Sequence, residues 1–221
     1  SLVALNAYHP TVSPNGQMVA YAKWPGIWLA DATGTHARVL LKTDPTTDAT
    51  GLAWSPDGTQ LAFSTGTEVD VTDLHGVAHR VVGSSNPQVF AWSPDAQWLA
   101  YTSADGPTPG IWIVHPDGTG NRFFVPYALR LAWSPDGSRI AYTADGNLFV
   151  GDAAGNRAVA IPGRFVQSCL SWPAQGGGIL AAESVPSSYG EGLLSRLVEL
   201  SPDGSARTAL TDGAAIVSEA G

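Results

Sequence analysis

The sequence predicts an all-β protein built from five copies of a four-stranded antiparallel unit. Three observations carry that prediction. A stretch of the form A-W-S-P-D-G-x-x-L-A-F recurs along the chain, its tryptophan position returns every 38 to 42 residues, and 25 Gly and 16 Pro among 221 residues mark frequent turns.

The strong copies are AWSPDGTQLAF (53–63), FAWSPDAQWLAY (90–101) and LAWSPDGSRIAY (131–142), with weaker ones at TVSPNGQMVAY (11–21) and LSWPAQGGGILAA (170–182). Aligned on the tryptophan position they give Val12, Trp54, Trp92, Trp133 and Trp172, and a second marker follows in each copy, the glycine turn at Gly34, Gly76, Gly118, Gly155 and Gly204. The repeats span about 9–46, 50–86, 87–126, 128–163 and 166–213, within one predicted domain covering 1–221.

Each repeat reads as four strands, A to D. Strand A ends at the tryptophan position, and the Ser-Pro-Asp-Gly turn follows, with Pro fixing φ and Gly58 or Gly137 supplying the freedom that the end of the turn requires. Strand B alternates bulky groups (Leu61 and Phe63, Leu99 and Tyr101, Ile140 and Tyr142) with Ala62, Ala100 and Ala141, a pattern for a sheet packed on both faces. Strand C is IWLAD (27–31), VDVTD (69–73), IWIVH (111–115), LFVGD (148–152) and LVEL (197–200). Strand D carries Arg38, Arg80, Arg122, Arg157 and Arg207, a repeated charge suited to guarding an exposed sheet edge.

A net charge of −8 with 11 Lys plus Arg gives no basic footprint for nucleic acid or for an anionic membrane, and no apolar run approaches the length of a membrane helix. Cys169 is alone, which excludes an internal disulfide and a cysteine-based zinc site; a small buried hydrophobe is expected there. The chain begins at Ser1 without signal-peptide regions, as in a mature or trimmed product.

Four-stranded units apolar on both faces must bury those faces against neighbouring copies, and radial stacking does this in a β-propeller with strand A innermost. SLVAL (2–6) reads as a leftover strand D and AAIVSE (214–219) as the start of another strand A, so five blades are expected, with a piece of a ring of six or more as the alternative. The W-S-P-D-G turn followed by L/I-A-F/Y resembles the TolB-like, WD40-like propeller repeat, also found in the propeller domains of prolyl-oligopeptidase-type peptidases. That resemblance implies a fold, and an extracytoplasmic bacterial setting such as the sensor or scaffold domain of a larger envelope protein; it is nearly silent about chemistry.

In such blades the A–B and C–D turns share one end and the B–C and D–A connections the other. The first set is nearly uniform, whereas the second varies in length and chemistry, so recognition is expected at the second end. The candidate binding residues there are Trp24, Asp44, Asp48, Asp105, Arg164, Tyr189 and Glu191, the last two in the insertion ESVPSSYGEG (183–192). Asp44, Asp48 and Asp105 lack any calcium-loop spacing and read as solvated acids; Asp57, Asp95 and Asp136 recur in equivalent turns and read as turn formers. Trp54, Trp92, Trp133 and Trp172 read as packing between blades rather than a sugar platform. His75 and His79 share a repeat but lack a third ligand, so no metal is expected.

No G-x-S-x-G, H-E-x-x-H, Walker or dinucleotide motif occurs. The expectation is a non-catalytic module that binds a protein or another ligand, without cofactor, nucleic acid or membrane insertion. The alternatives are an accessory propeller of a peptidase or other enzyme whose catalytic domain lies elsewhere, and a propeller lyase or hydrolase acting on carbohydrate.

Overall fold

A computed structural model of the chain describes residues 7–43, 49–83, 87–103, 108–175, 177–186 and 193–211. Among them there are strands, turns and no helix. The strands form five antiparallel sheets of four, each in chain order. The first is β1 (Tyr8–Val12), β2 (Met18–Ala22), β3 (Gly26–Asp31) and β4 (Arg38–Lys42); the second is β5 (Thr50–Trp54), β6 (Gln60–Ser64), β7 (Glu68–Asp73) and β8 (Ala78–Gly83). The third is β9 (Pro87–Trp92), β10 (Leu99–Ser103), β11 (Gly110–Val114) and β12 (Arg122–Pro126). The fourth is β13 (Ala128–Trp133), β14 (Arg139–Ala144), β15 (Asn147–Asp152) and β16 (Val159–Ile161), and the fifth is β17 (Phe165–Ser171), β18 (Ile179–Pro186), β19 (Leu193–Leu200) and β20 (Arg207–Ala209). The described residues up to Phe124 form one compact unit and those from Val125 on another.

Alternation along the second strand of each sheet decides how the sheets pack. In the first unit, Leu61, Phe63 and Trp54 bury against Ala20, Ile27, Leu29 and Leu40 of the first sheet. The opposite face, Ala62, Val69 and Val71, buries against Trp92, Leu99, Tyr101 and Val114 of the third. In the second unit, Ala141, Leu148, Val150 and Ile161 meet Trp172, Ile179, Ala181 and Val198. The four alanines Ala20, Ala62, Ala100 and Ala141 are fully buried, which is why nothing larger stands there.

Trp54, Trp92, Trp133 and Trp172 are each 7–8% exposed. The Trp54 indole N–H donates to the Thr11 carbonyl at 3.2 Å, and that of Trp92 to the Ala53 carbonyl at 3.1 Å. Each of these two rings therefore satisfies its one donor on the first strand of the preceding sheet while filling the space between sheets. The recurring glycine has a second role besides its turn: a Cβ on Gly76 would stand 2.3 Å from the Leu40 carbonyl oxygen, and one on Gly118 2.6 Å from that of Val81. Only glycine lets these turns press on the last strand of the neighbouring sheet.

Several expectations shift. β18 runs to Pro186, β19 starts at Leu193 and β17 starts at Phe165, so the parts of 163–167 and 183–192 expected as connections are partly strand. The cross-strand register Glu183↔Arg196 through Pro186↔Leu193 continues the antiparallel backbone ladder of the two strands without a break. Arg157 precedes β16 in a left-handed conformation rather than lying on the strand. The repeated arginines do more than guard an edge: Arg38 donates to the Leu74 carbonyl at 2.9 Å, Arg80 pairs with Glu68 at 2.7 Å, and Arg122 lies 5.5 Å from the Trp98 ring centre. Cys169 is a free thiol and only half-buried, since it falls where β17 shifts register between Phe165 and Leu170.

Candidate functional site

The end carrying the Ser-Pro-Asp-Gly turns is chemically self-contained. Ser55, Ser93 and Ser134 each donate through Oγ to the aspartate two residues on, at 2.5, 2.5 and 2.6 Å. The same hydroxyls accept the backbone N–H of Gln60, Trp98 and Arg139, at 2.9 Å in each turn. The serine donors, helped by backbone N–H groups, lower the carboxyls of Asp57 and Asp95, and bring that of Asp136 to about 2. The turns after the third strands repeat the device, with Asp31, Asp73 and Asp152 accepting the backbone N–H of Thr35, Val77 and Asn156 at 2.7, 2.9 and 2.7 Å. These acids are spent on their own turns.

The opposite end of the first sheet is built differently. The β2–β3 corner is closed by reciprocal bonds, Lys23 N–H to the Gly26 carbonyl at 3.0 Å and Gly26 N–H to the Lys23 carbonyl at 2.9 Å. Thr43 N–H ties the Pro25 carbonyl to the end of β4 at 3.2 Å, and a Cβ on Gly26 would stand 2.1 Å from the Leu41 carbonyl oxygen. The corner is thus braced from two strands, and it presents Trp24, 64% exposed, beside a cis Trp24–Pro25 bond.

Across the corner, β1 bulges between Tyr8 and Thr11, and His9 takes φ 51° there; Gly51, at the same place in β5, takes φ 62°. The bulge turns Tyr8, 58% exposed, toward the same space. The result is a cleft of about 180 Å³ lined by Tyr8, His9, Ala22, Lys23, Trp24, Gly26, Ala49 and Thr50. The Lys23 ammonium sits 5.2 Å from the centre of the Trp28 ring, a residue outside the cleft lining.

Of the sequence-predicted residues, Trp24 lines this cleft. Arg164 is exposed in the second unit, and its carbonyl accepts Ser184 N–H at 2.7 Å. Asp44, Asp48, Asp105, Tyr189 and Glu191 lie outside the described residues. Tyr8, His9 and Lys23 escaped sequence reasoning; the signal was a tyrosine and histidine placed where the second repeat has Thr50 and Gly51.

Two buried acids break the repeat. Asp70 stands where three of the other third strands place Trp28, Trp112 and Phe149, two of which stack on Tyr21 and Tyr142. Burial raises its carboxyl, partly opposed by the Thr65 hydroxyl at 3.3 Å. Glu183, 4% exposed, receives Arg196 through Nη2 at 2.9 Å and Nε at 3.2 Å, and also Arg207, whose guanidinium further donates to the Pro162 carbonyl and lies 5.8 Å from the Phe165 ring centre. The histidines disperse: His79 donates to the Pro116 carbonyl at 2.9 Å, and His115 to that of Gln97 at 2.7 Å while stacking on Trp98. Among the described residues no group of three His, Cys, Asp or Glu is placed to hold a metal ion, and no helix is long and apolar enough to cross a membrane.

No family model and no curated protein matches the sequence. Solved structures do match in fold. TolB from Acinetobacter baumannii superposes with a TM-score of 0.68 at 20% identity, over 95% of this chain and 55% of that one. An oligogalacturonate lyase in complex with manganese gives 0.71 at 14%, over 93% of this chain and 65% of that one. A chain of the nidogen/laminin complex gives 0.68 at 14%, over 91% of this chain and 78% of that one. The chain therefore spans about half the length of TolB and under two thirds of the lyase. Its fold is that of the TolB-like β-propellers.

Proposed function

We propose that this chain is a non-catalytic binding module that engages a partner protein through the irregular end of its sheets, in an extracytoplasmic setting. The observation that carries the reading is the contrast between the two ends. Acids and hydroxyls at the uniform end are consumed by their own turns. At the other end Tyr8 and Trp24 stand exposed on a braced corner around a cleft, the arrangement of rigid aromatic anchors that dominates protein interfaces. The setting rests on the resemblance of the repeat to TolB-like propellers.

The test places a photo-crosslinking amino acid at position 24 or, as an equally exposed control at the uniform end, at position 77. A discrete protein adduct is expected from position 24, suppressed by excess unlabelled chain, and none from position 77. Equal labelling from both positions, or none from position 24, would refute the reading.

A further inference from the structure

We propose that Asn15 is a site of spontaneous deamidation, converting to an aspartate that the turn around it is built to hold. Five turns of the chain share one hydrogen-bonded plan. In four of them the third residue is an acid, Asp57, Asp95, Asp136 or Asp203, and each accepts a serine hydroxyl and a backbone N–H. The turn after β1 is Ser-Pro-Asn-Gly, and Asn15 fills the same role through Oδ1, which accepts the Ser13 hydroxyl at 2.7 Å and the Gln17 N–H at 3.0 Å. Its Nδ2 takes no part in the turn, so the group that deamidation removes is the one the turn does not use.

Asn15 and Gly16 form the single Asn-Gly pair of the sequence. Without a Cβ, Gly16 lets its backbone nitrogen approach the preceding side chain. Having lost its proton to hydroxide, that nitrogen attacks Asn15 Cγ; the N–Cγ bond forms, the Cγ–Nδ2 bond breaks, and the amide takes a proton from water and leaves as ammonia. Water then opens the cyclic imide. Opening at Cγ restores the Gly16 N–H and leaves aspartate, whereas opening at the Asn15 backbone carbonyl leaves isoaspartate, with a longer main chain. The turn is closed by Gly16 N–H to the Ser13 carbonyl at 2.8 Å and Met18 N–H to the Ser13 hydroxyl at 2.9 Å, bonds that the longer chain does not fit. The first of them also engages the attacking nitrogen, so the reaction runs from openings of the turn. Pro14, Asn15, Gly16 and Gln17 are all exposed, and surface segments of this kind open far below the free energy of global unfolding.

The acidic turns are protected from the same chemistry. Their serine and backbone donors hold the carboxyls of Asp57 and Asp203 low and bring that of Asp136 to about 2, so each stays a carboxylate, which a backbone nitrogen attacks poorly. The neutral carboxamide of Asn15 lacks that protection. An aspartate at position 15 inherits the same donors, and hydrogen bonds to a charged acceptor are about twice as strong as neutral ones. The conversion therefore runs one way and makes the net charge of −8 more negative by a further unit.

The test ages the full chain in mildly alkaline buffer made with heavy-oxygen water and maps its peptides by mass spectrometry. Position 15 should gain an acid group carrying one heavy oxygen, about tenfold or more faster than Asn121, Asn147 and Asn156, which are also exposed but precede Arg122, Leu148 and Arg157. Gly16→Ala should slow the reaction about tenfold and still fold, because a Cβ there meets nothing within 4 Å and Ala96 already occupies the equivalent place at φ 57°. Ser13→Ala removes bonds that close the turn and should quicken it. Asn15→Asp should raise the urea midpoint at neutral pH, and the gain should disappear as pH falls through the lowered folded pKa of the new acid. The proposal falls if position 15 converts no faster than the other asparagines or if Gly16→Ala converts as fast as the parent. A slower Ser13→Ala variant, or a lower urea midpoint for Asn15→Asp, would overturn the part assigned to the turn.

Discussion

Glu183→Gln is the most informative single change to the second unit. The carboxylate is 4% exposed and is the common partner of Arg196 and Arg207, each about one third exposed. The substitution keeps the shape and removes the charge, leaving two guanidiniums facing a neutral amide. Breaking a buried pair in this way costs about 3 kcal/mol. Unfolding entropy of about 2.1 cal/mol/K per residue gives roughly 0.46 kcal/mol/K for a chain of this length, so the melting temperature should fall by about 6 °C. Arg207→Gln alone should cost less, because Arg196 still neutralises the acid, and the double variant should be non-additive by about 1 kcal/mol or more. Thermal and urea unfolding measure all three. The loss should persist at high salt, since the carboxylate is shielded from solvent. A change under 1 kcal/mol in Glu183→Gln, or one that vanishes in salt, would show the cluster to be an ordinary surface pairing and would refute the argument.

Other expectations follow from single positions. Ala96 occupies with φ 57° the place where Gly58 and Gly137 take 71° and 70°, so Ala96→Gly should stabilise by roughly 1 kcal/mol, the left-handed penalty of an L-residue less the added freedom of glycine in the unfolded chain; a lower urea midpoint would contradict it. Gly76→Ala places a methyl 2.3 Å from a backbone oxygen at φ +84° and should cost about 3 kcal/mol, as strain and overpacking do together, read as loss of urea midpoint. Asp70 has its carboxyl raised by burial, so the folded state holds that proton to higher pH than the unfolded chain, and the acid destabilises the fold above its folded pKa. Asp70→Asn should therefore be more stable than the parent at neutral pH, with the gap closing as pH falls toward 4; a gap that widens on acidification would reverse the sign and the explanation.

The architecture was legible because it is written five times. The spacing of Trp54, Trp92, Trp133 and Trp172, the bulky and alanine alternation in β6, β10 and β14, and the Ser-Pro-Asp-Gly turns each fix a local geometry, and their agreement fixes the sheet order. What escaped were features that depend on one copy only. The bulge that turns Tyr8 needs a left-handed residue, and His9 hides that need where Gly51 advertises it. The length of β18 and β19 is set by a ladder ending at Pro186↔Leu193, in a stretch whose Ser, Pro and Gly content reads as loop. Glu183 looked like the first residue of that loop, and its burial depends on Arg196 and Arg207, 13 and 24 positions later.

Repetition also separates scaffold from site by a chemical criterion. A carboxylate that already accepts a serine hydroxyl and a backbone N–H, as Asp57, Asp95 and Asp136 do, gains little from a further donor and would lose its turn by releasing the ones it has. Its lowered pKa records the same saturation, because each donor favours the charged form. The cleft at the first sheet is the reverse case: Tyr8 and Trp24 leave apolar ring surface in water, which the rest of the repeat takes care to bury in Trp54, Trp92, Trp133 and Trp172. A chain that packs Trp54, Trp92 and Trp172 between sheets, and turns Trp24 outward on a corner braced by Thr43 and Gly26, departs there from what its own repeat does with tryptophan.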